Sequence, residues 1–186
     1  MSDKASFHSS KIRINNYVLI SLFTAIIAIC SFISIPSVIP FTLQTLGIFT
    51  SLTVLGGKRG TLCTILYIVL GIVGVPVFSG FSAGLGHILG ATGGYITGFI
   101  FLSLCYLLVT KLLGNTTKFK ALGLISGLFI CYLFGTLWYM AVYLKTWNTE
   151  SFLSTISVCV LPFIIPDSIK ITLALLIDRK LPSKIR

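Results

Sequence analysis

The sequence predicts an all-α integral membrane protein: a bundle of six transmembrane helices with both termini in the cytoplasm. Three observations predict it. Only 10% of the 186 residues are charged while 55% are hydrophobic, against roughly 25% charged in a soluble domain. So few charges cannot cover a water-facing surface. The apolar residues gather in six runs, at 17–35, 42–55, 60–77, 85–109, 121–144 and 152–177, a pattern of membrane spans rather than buried soluble helices. Finally, the basic residues alternate with the runs. Lys4, Lys11 and Arg13, Lys58 and Arg59, Lys111, Lys118 and Lys120, and Arg179, Lys180, Lys184 and Arg186 all fall on one side, facing Lys145 alone on the other. The positive-inside rule assigns the richer side to the cytoplasm.

Taken in order, residues 1–16 form a polar N-terminal tail, 17–180 a single membrane domain and 181–186 a C-terminal tail. The first run is too long for a signal-peptide core, and no small-residue cleavage site follows it, so it reads as the first span. The second is short. Cys30, Cys63, Cys105, Cys131 and Cys159 lie inside apolar segments without a CxxC pair or a neighbouring His, and read as small packing residues. The net charge of +10 is not gathered into one patch, so it does not point to nucleic acid.

The last run carries the most unusual feature. Asp167 and Lys170 are the acidic and basic residues of an otherwise apolar stretch, downstream of Pro162 and Pro166. Charges within a span face a bundle interior or cavity and mark functional sites, and their i, i+3 spacing shares one helix face. The prolines predict a chain break, with the last helix starting near 162–166 and Asp167 near its positive N-terminal end. That places the pair about 16 Å above Asp178, towards the extracellular half.

Gly86, Gly90, Gly94 and Gly98 recur every fourth residue, a smooth stripe for helix packing. Thr92, Gly93 and Tyr95 beside them add groups that suit a ligand. Pro40, Phe41, Thr42, Gln44 and Thr45 make a polar cluster entering the second span on the same side. Residues 76–86 read as a small-residue lid loop. His87 has no second His or Cys nearby and reads as a packing residue rather than a metal ligand.

Gly57-Lys58-Arg59 lacks the spacing and the Ser or Thr of a phosphate loop. With four acidic residues in all, neither a metal cluster nor an acid–base pair is expected. The chain reads as a transporter subunit rather than an enzyme, without cofactor or metal, and any active transport draws its energy elsewhere.

The ordered motifs resemble one family. They are Pro40-Phe41-Thr42-Leu43-Gln44-Thr45; Leu55-Gly56-Gly57 with Arg59-Gly60; and Tyr67, Gly71, Gly74 and Pro76-Val77-Phe78. After these come Gly90, Thr92-Gly93-Gly94-Tyr95 and Gly98-Phe99, then Gly135 with Trp138, and Pro166-Asp167 with Lys170. In order and spacing the set resembles the BioY family, the biotin-specific substrate-binding (S) components of energy-coupling-factor (ECF) transporters. The resemblance implies an S-component bundle in the bacterial cell membrane that captures biotin from outside. A separate transmembrane coupling protein and two ATPase subunits would power uptake, and the S component would topple to release the vitamin inside. It also implies Asp167 and Lys170 as ligand residues. Thr42, Gln44, Thr92, Gly93 and Tyr95 would complete the polar contacts, with Phe41, Phe78 and Trp138 as apolar walls.

Two departures stand out. Ala91 replaces the proline usual in the family's Gly-x-Thr-Gly-Gly-Tyr motif, and the first helix lacks a clear AxxxA-like docking motif. Ser21, Thr24, Ala25 and Ala28 are its small residues and the expected docking surface for the coupling protein. Asp167 accepting from the ureido N–H groups while Lys170 donates to its carbonyl is one orientation; Lys170 on the valerate carboxylate is the other. An S component for another vitamin, a membrane-embedded enzyme and a structural subunit remain the competing readings.

Overall fold

Chain breaks, several of them at glycines, divide the apolar runs among the described residues into eight α-helices and a two-residue strand pair. The structure, a computed structural model, describes residues 2–35 and 39–181, with side chains from residue 14 onward. The side chains of Lys4, Lys11 and Arg13, and the tail bearing Lys184 and Arg186, lie outside the described residues.

Helix α1 (Ser2–Phe32) leads into β1 (Ser34–Ile35), which pairs antiparallel with β2 (Phe41–Thr42). There follow α2 (Gln44–Leu55) and α3 (Gly57–Val73), then a 3-10 turn (Ser79–Phe81) and the single turn α4 (Leu85–Ile88). The chain ends in α5 (Gly93–Leu113), α6 (Thr117–Tyr139) with a π-helical extension (Met140–Leu144), α7 (Thr149–Cys159) and α8 (Leu161–Lys180). Gly56, at φ +80°, permits the sharp break between α2 and α3. Gly74 closes α3 in the left-handed conformation, its N–H reaching back to Gly71 and Leu70.

Helices α1, α2, α3, α5, α6 and α8 alternate in direction. The end of α1 bonds the start of α2 through Leu43 N–H to the Ile33 carbonyl. Arg59 at the start of α3 donates to Asn16 on α1, and Trp138 near the end of α6 donates to Gly90 just before α5. Ile14–Phe32, Gly93–Leu113 and Thr117–Leu144 are each long and apolar enough to cross a membrane, and the pair α7–α8, bent by 42°, would make a fourth. By contrast α2, with 12 residues, is about 18 Å long. It is buried on nearly every face, with Ile48, Phe49, Leu52, Val54 and Leu55 in the core between α1, α3 and α8. Large apolar side chains such as Tyr17, Leu22, Leu112, Phe129 and Ile165 are exposed on the bundle's outside, the surface a bilayer would cover.

The structure corrects three boundaries. Helix α1 extends N-terminal to residue 17, into the segment read as a tail. The fourth apolar run is split into α4 and α5, so the Gly86–Gly98 stripe does not lie on one helix. A Cβ at Gly86 would meet nothing, whereas one at Gly94 would lie 2.2 Å from Trp138 Cβ and one at Gly98 2.9 Å from Cys131 Sγ. Only the last two serve the close α5–α6 packing. The sixth run breaks at Val160 (φ −123°, ψ −54°), ahead of both prolines. Pro162 sits in the first turn, where no N–H is missed. Asp167 is therefore the seventh residue of α8, beyond the first turn in which the helix dipole acts; side chains hold it instead.

Candidate binding site

Asp167 and Lys170 lie on one face of α8 where it meets the start of α2 and the C-terminal half of α6, and are only 2% and 4% exposed. Lys170 Nζ donates to Asp167 Oδ1 at 2.7 Å, to the Thr42 carbonyl at 2.8 Å and to Thr45 Oγ1 at 2.9 Å. An ammonium has three protons, so all are engaged. The Lys170 ammonium also stands 4.3 Å from the Phe41 ring centre, a cation–π contact. The carboxylate receives Thr45 Oγ1 on Oδ1 at 2.9 Å and the Tyr132 hydroxyl on Oδ2 at 2.6 Å. A charge buried this deeply requires such partners. Three helices, α2, α6 and α8, supply them.

This network lines a cavity whose wall also includes Thr42, Gln44, Ser79, His87, Thr92, Tyr95 and Phe163. Gln44 Nε2 donates to the Tyr67 hydroxyl at 2.9 Å, and Tyr67 donates to the Val77 carbonyl at 3.0 Å. The Tyr95 hydroxyl pairs with Thr136 Oγ1 at 3.4 Å. The hydroxyls of Ser79 and Thr92 have no hydrogen bond among the described residues. His87, on the short α4 segment between the longer helices, stacks on Phe78 with ring centres 5.3 Å apart and faces Ser82 Oγ at 3.4 Å. Burial lowers its pKa below the ordinary 6.5. A separate apolar groove between α6, α7 and α8 backs onto the cavity, with Leu128 and Tyr132 lining both.

A model of the BioY family matches residues 2–186. The chain belongs to the BioY family. The probable biotin transporter BioY of Pyrococcus horikoshii is 36% identical over 165 residues, 88% of this chain and 93% of that protein. The biotin transporter BioY of Thermotoga maritima is 37% identical over 161 residues, 86% and 91% of the two chains. The crystal structure of the S-component for biotin from an ECF-type ABC transporter superposes with a TM-score of 0.80 at 25% identity, covering 91% of this chain and 92% of that one.

Within this BioY fold, six of the ten expected ligand residues line one cavity: Asp167, Lys170, Thr42, Gln44, Thr92 and Tyr95. The other four sit beside it. Phe41 packs under Lys170 and against Phe163; Phe78 is fully buried between Tyr67 and His87. Trp138 packs against Gly94 and bonds the Gly90 carbonyl, and Gly93 is pressed onto the Ile88 carbonyl. Tyr132 and His87 were not among the expected ligand residues. Tyr132 sits in an unbroken apolar run, and no spacing rule connects α6 to Asp167. Cys131 and Cys159, read as packing residues, also line the cavity. On α1, Ser21 and Ala25 are exposed and Ala28 half-buried, but Thr24 is buried at 3% and bonds the Ile20 and Cys63 carbonyls. Thr24 therefore faces α3 and leaves the expected docking surface.

Proposed function

We propose that this chain captures biotin at the outer face of the cytoplasmic membrane, as the S component of an ECF-type transporter. The observation that carries the reading is the buried Asp167 carboxylate, held by Lys170, Thr45 and Tyr132 at the wall of a cavity inside a BioY fold. A cyclic urea presents two N–H donors and a carbonyl, and leaving such groups unpaired in a dry cavity would cost roughly 1–3 kcal/mol each. Asp167 accepts an N–H. Because its protons are all engaged, Lys170 acts through Asp167, neutralising and aiming it, while the Ser79 and Thr92 hydroxyls are the unengaged donors. The apolar wall of Ile96, Phe99 and Phe163 suits the thiophane ring and the alkyl arm.

In this reading α1, α2, α3, α5, α6 and the α7–α8 pair form six spans, with both termini cytoplasmic and the cavity near the outer surface. The distribution of Lys and Arg supports that orientation. No cofactor is needed. Energy comes from a separate coupling protein and two ATPase subunits, with the exposed Ser21–Ala25 face of α1 as the docking surface. The test is calorimetric titration of the purified, detergent-solubilised chain with biotin, desthiobiotin and thiamine. Tight binding of biotin with thiamine inert is the expected result; folded protein that ignores biotin overturns the reading.

A further inference from the structure

Tyr67 does not line the cavity. It is fully buried on α3, edge-on to Phe78, yet its hydroxyl joins the cavity residue Gln44 to the Val77 carbonyl. The direction of these bonds follows from counting protons. Ser31 Oγ lies within hydrogen-bond reach of both the Ala28 and Val77 carbonyls, but a hydroxyl carries one proton. With the Tyr67 proton on Val77, both carbonyls are served. The lone pair then left on Tyr67 receives the Gln44 amide nitrogen at 2.9 Å. Turning the Gln44 amide over would set its oxygen against Tyr67 and draw the phenol proton away from the Val77 carbonyl, breaking the 3.0 Å bond between them. Gln44 is itself 5% exposed, and its backbone is tied by its N–H to Thr42 Oγ1 at 3.2 Å. Its Oε1 accepts no hydrogen bond among the described residues, on a side chain that lines the cavity.

We infer that Tyr67 is a positioning residue that fixes the polarity of the site, locking the Gln44 amide so that its oxygen, not its NH2 group, is offered to the ligand. The inference rests on the biotin reading above and deepens it. Gln44 becomes a second acceptor beside Asp167, one for each N–H of a cyclic urea. A ligand with an acceptor at that position would be rejected, because the groups able to turn the amide are buried and already paired. Specificity for an N–H donor is thus set partly by a tyrosine the ligand never touches.

The test compares biotin with its two mono-methylated forms, each lacking one ureido N–H, on the full-length chain in detergent. In the parent both methylated forms bind more weakly than biotin. In Gln44→Met the penalty for one of the two largely disappears, with biotin itself weakened about tenfold, the worth of one hydrogen bond. Tyr67→Phe gives the same selective loss, and the double variant loses no more than Gln44→Met alone, since the tyrosine acts through the amide. A Tyr67 with only a packing role would weaken all three ligands equally and leave their ratios at the parental values; that result overturns the inference. Parental ratios in Gln44→Met overturn it too, whether or not Tyr67→Phe folds. A parent that does not bind biotin would instead remove the functional reading on which it stands.

Discussion

Lys120, at the start of α6, reaches 2.7 Å to Asp178, at the end of α8, and both side chains are 5% exposed. Lys120 also donates to the Thr53 carbonyl near the end of α2. Helices α2 and α8 are therefore tied at both ends, by Asp167, Lys170 and Thr45 beside the cavity and by Lys120 and Asp178 at the opposite end. Removing one partner strands a buried charge, which typically costs about 3–5 kcal/mol, whereas replacing both by apolar groups is often near neutral. Lys120→Met alone should sharply lower thermal stability in detergent, and Lys120→Met with Asp178→Leu should recover most of it. A single variant as stable as the parent would show that the pair holds nothing together.

Asp167→Asn probes the other end. It keeps the shape but turns one carboxylate oxygen into an NH2 donor, so only one of the bonds from Thr45 and Tyr132 survives, and it leaves the Lys170 ammonium buried without its counter-charge. Truncating a buried, hydrogen-bonded charge pair costs about 2–5 kcal/mol, so biotin should bind at least about thirtyfold more weakly by calorimetry. Unchanged affinity would remove Asp167 from the ligand's contacts.

Asp167 and Lys170 were legible because charge in an apolar run has few structural explanations, and the rest of the motif fell around the cavity with them. The break in the sixth apolar run was legible from Pro162 and Pro166, and α8 does start beside them at Leu161, although the bend itself falls at Val160. Lys120 stands in a basic stretch that the sequence reads as a loop between apolar runs, and nothing local shows that α6 already begins at Thr117 and turns it inward. Tyr132 was invisible for a related reason: its role exists only once α6 and α8 are side by side.

The glycine stripe makes that distinction measurable. A Cβ at Gly94 would overlap Trp138, and one at Gly93 would come within 1.5 Å of the Ile88 backbone oxygen, while Gly86 faces open space. Gly86→Ala should leave melting temperature and biotin affinity at parental values. Gly94→Ala should destabilise by about 1–3 kcal/mol, the usual penalty of overpacking, and Gly93→Ala by more, since a backbone carbonyl cannot rotate aside. Equal effects at positions 86 and 94 would mean the stripe acts as one surface after all.

His87 brings a pH dependence. Burial holds its native pKa below the ordinary 6.5, so the unfolded chain takes up a proton before the native one does. The stability owed to keeping His87 neutral is complete above 6.5 and is lost as pH falls through the lowered native pKa. The surroundings that would meet the new charge are the Phe78 ring and Ser82, with Asp167 and Lys170 on the same cavity wall. Melting temperature recorded from about pH 8 to 5 should therefore fall on the acid side, and His87→Gln should flatten that limb. An unchanged acid limb in the variant would assign it to another group.

The outer face of α1 separates capture from uptake. Ala25 is exposed beside Ser21, Leu22 and Ile29, whereas Thr24 one position earlier is locked against Cys63 of α3. Enlarging Ala25 adds bulk to an exposed surface of α1, and no α1 residue lines the cavity among the described residues. Ala25→Leu should keep the parental biotin affinity in detergent while reducing biotin accumulation in cells that also express the coupling protein and ATPases, because a close helix–helix approach tolerates small residues only. Thr24→Leu should do the reverse, lowering thermal stability of the isolated chain by forcing a larger side chain into the α1–α3 contact. Full uptake by a stable Ala25→Leu protein would move the docking surface to another helix.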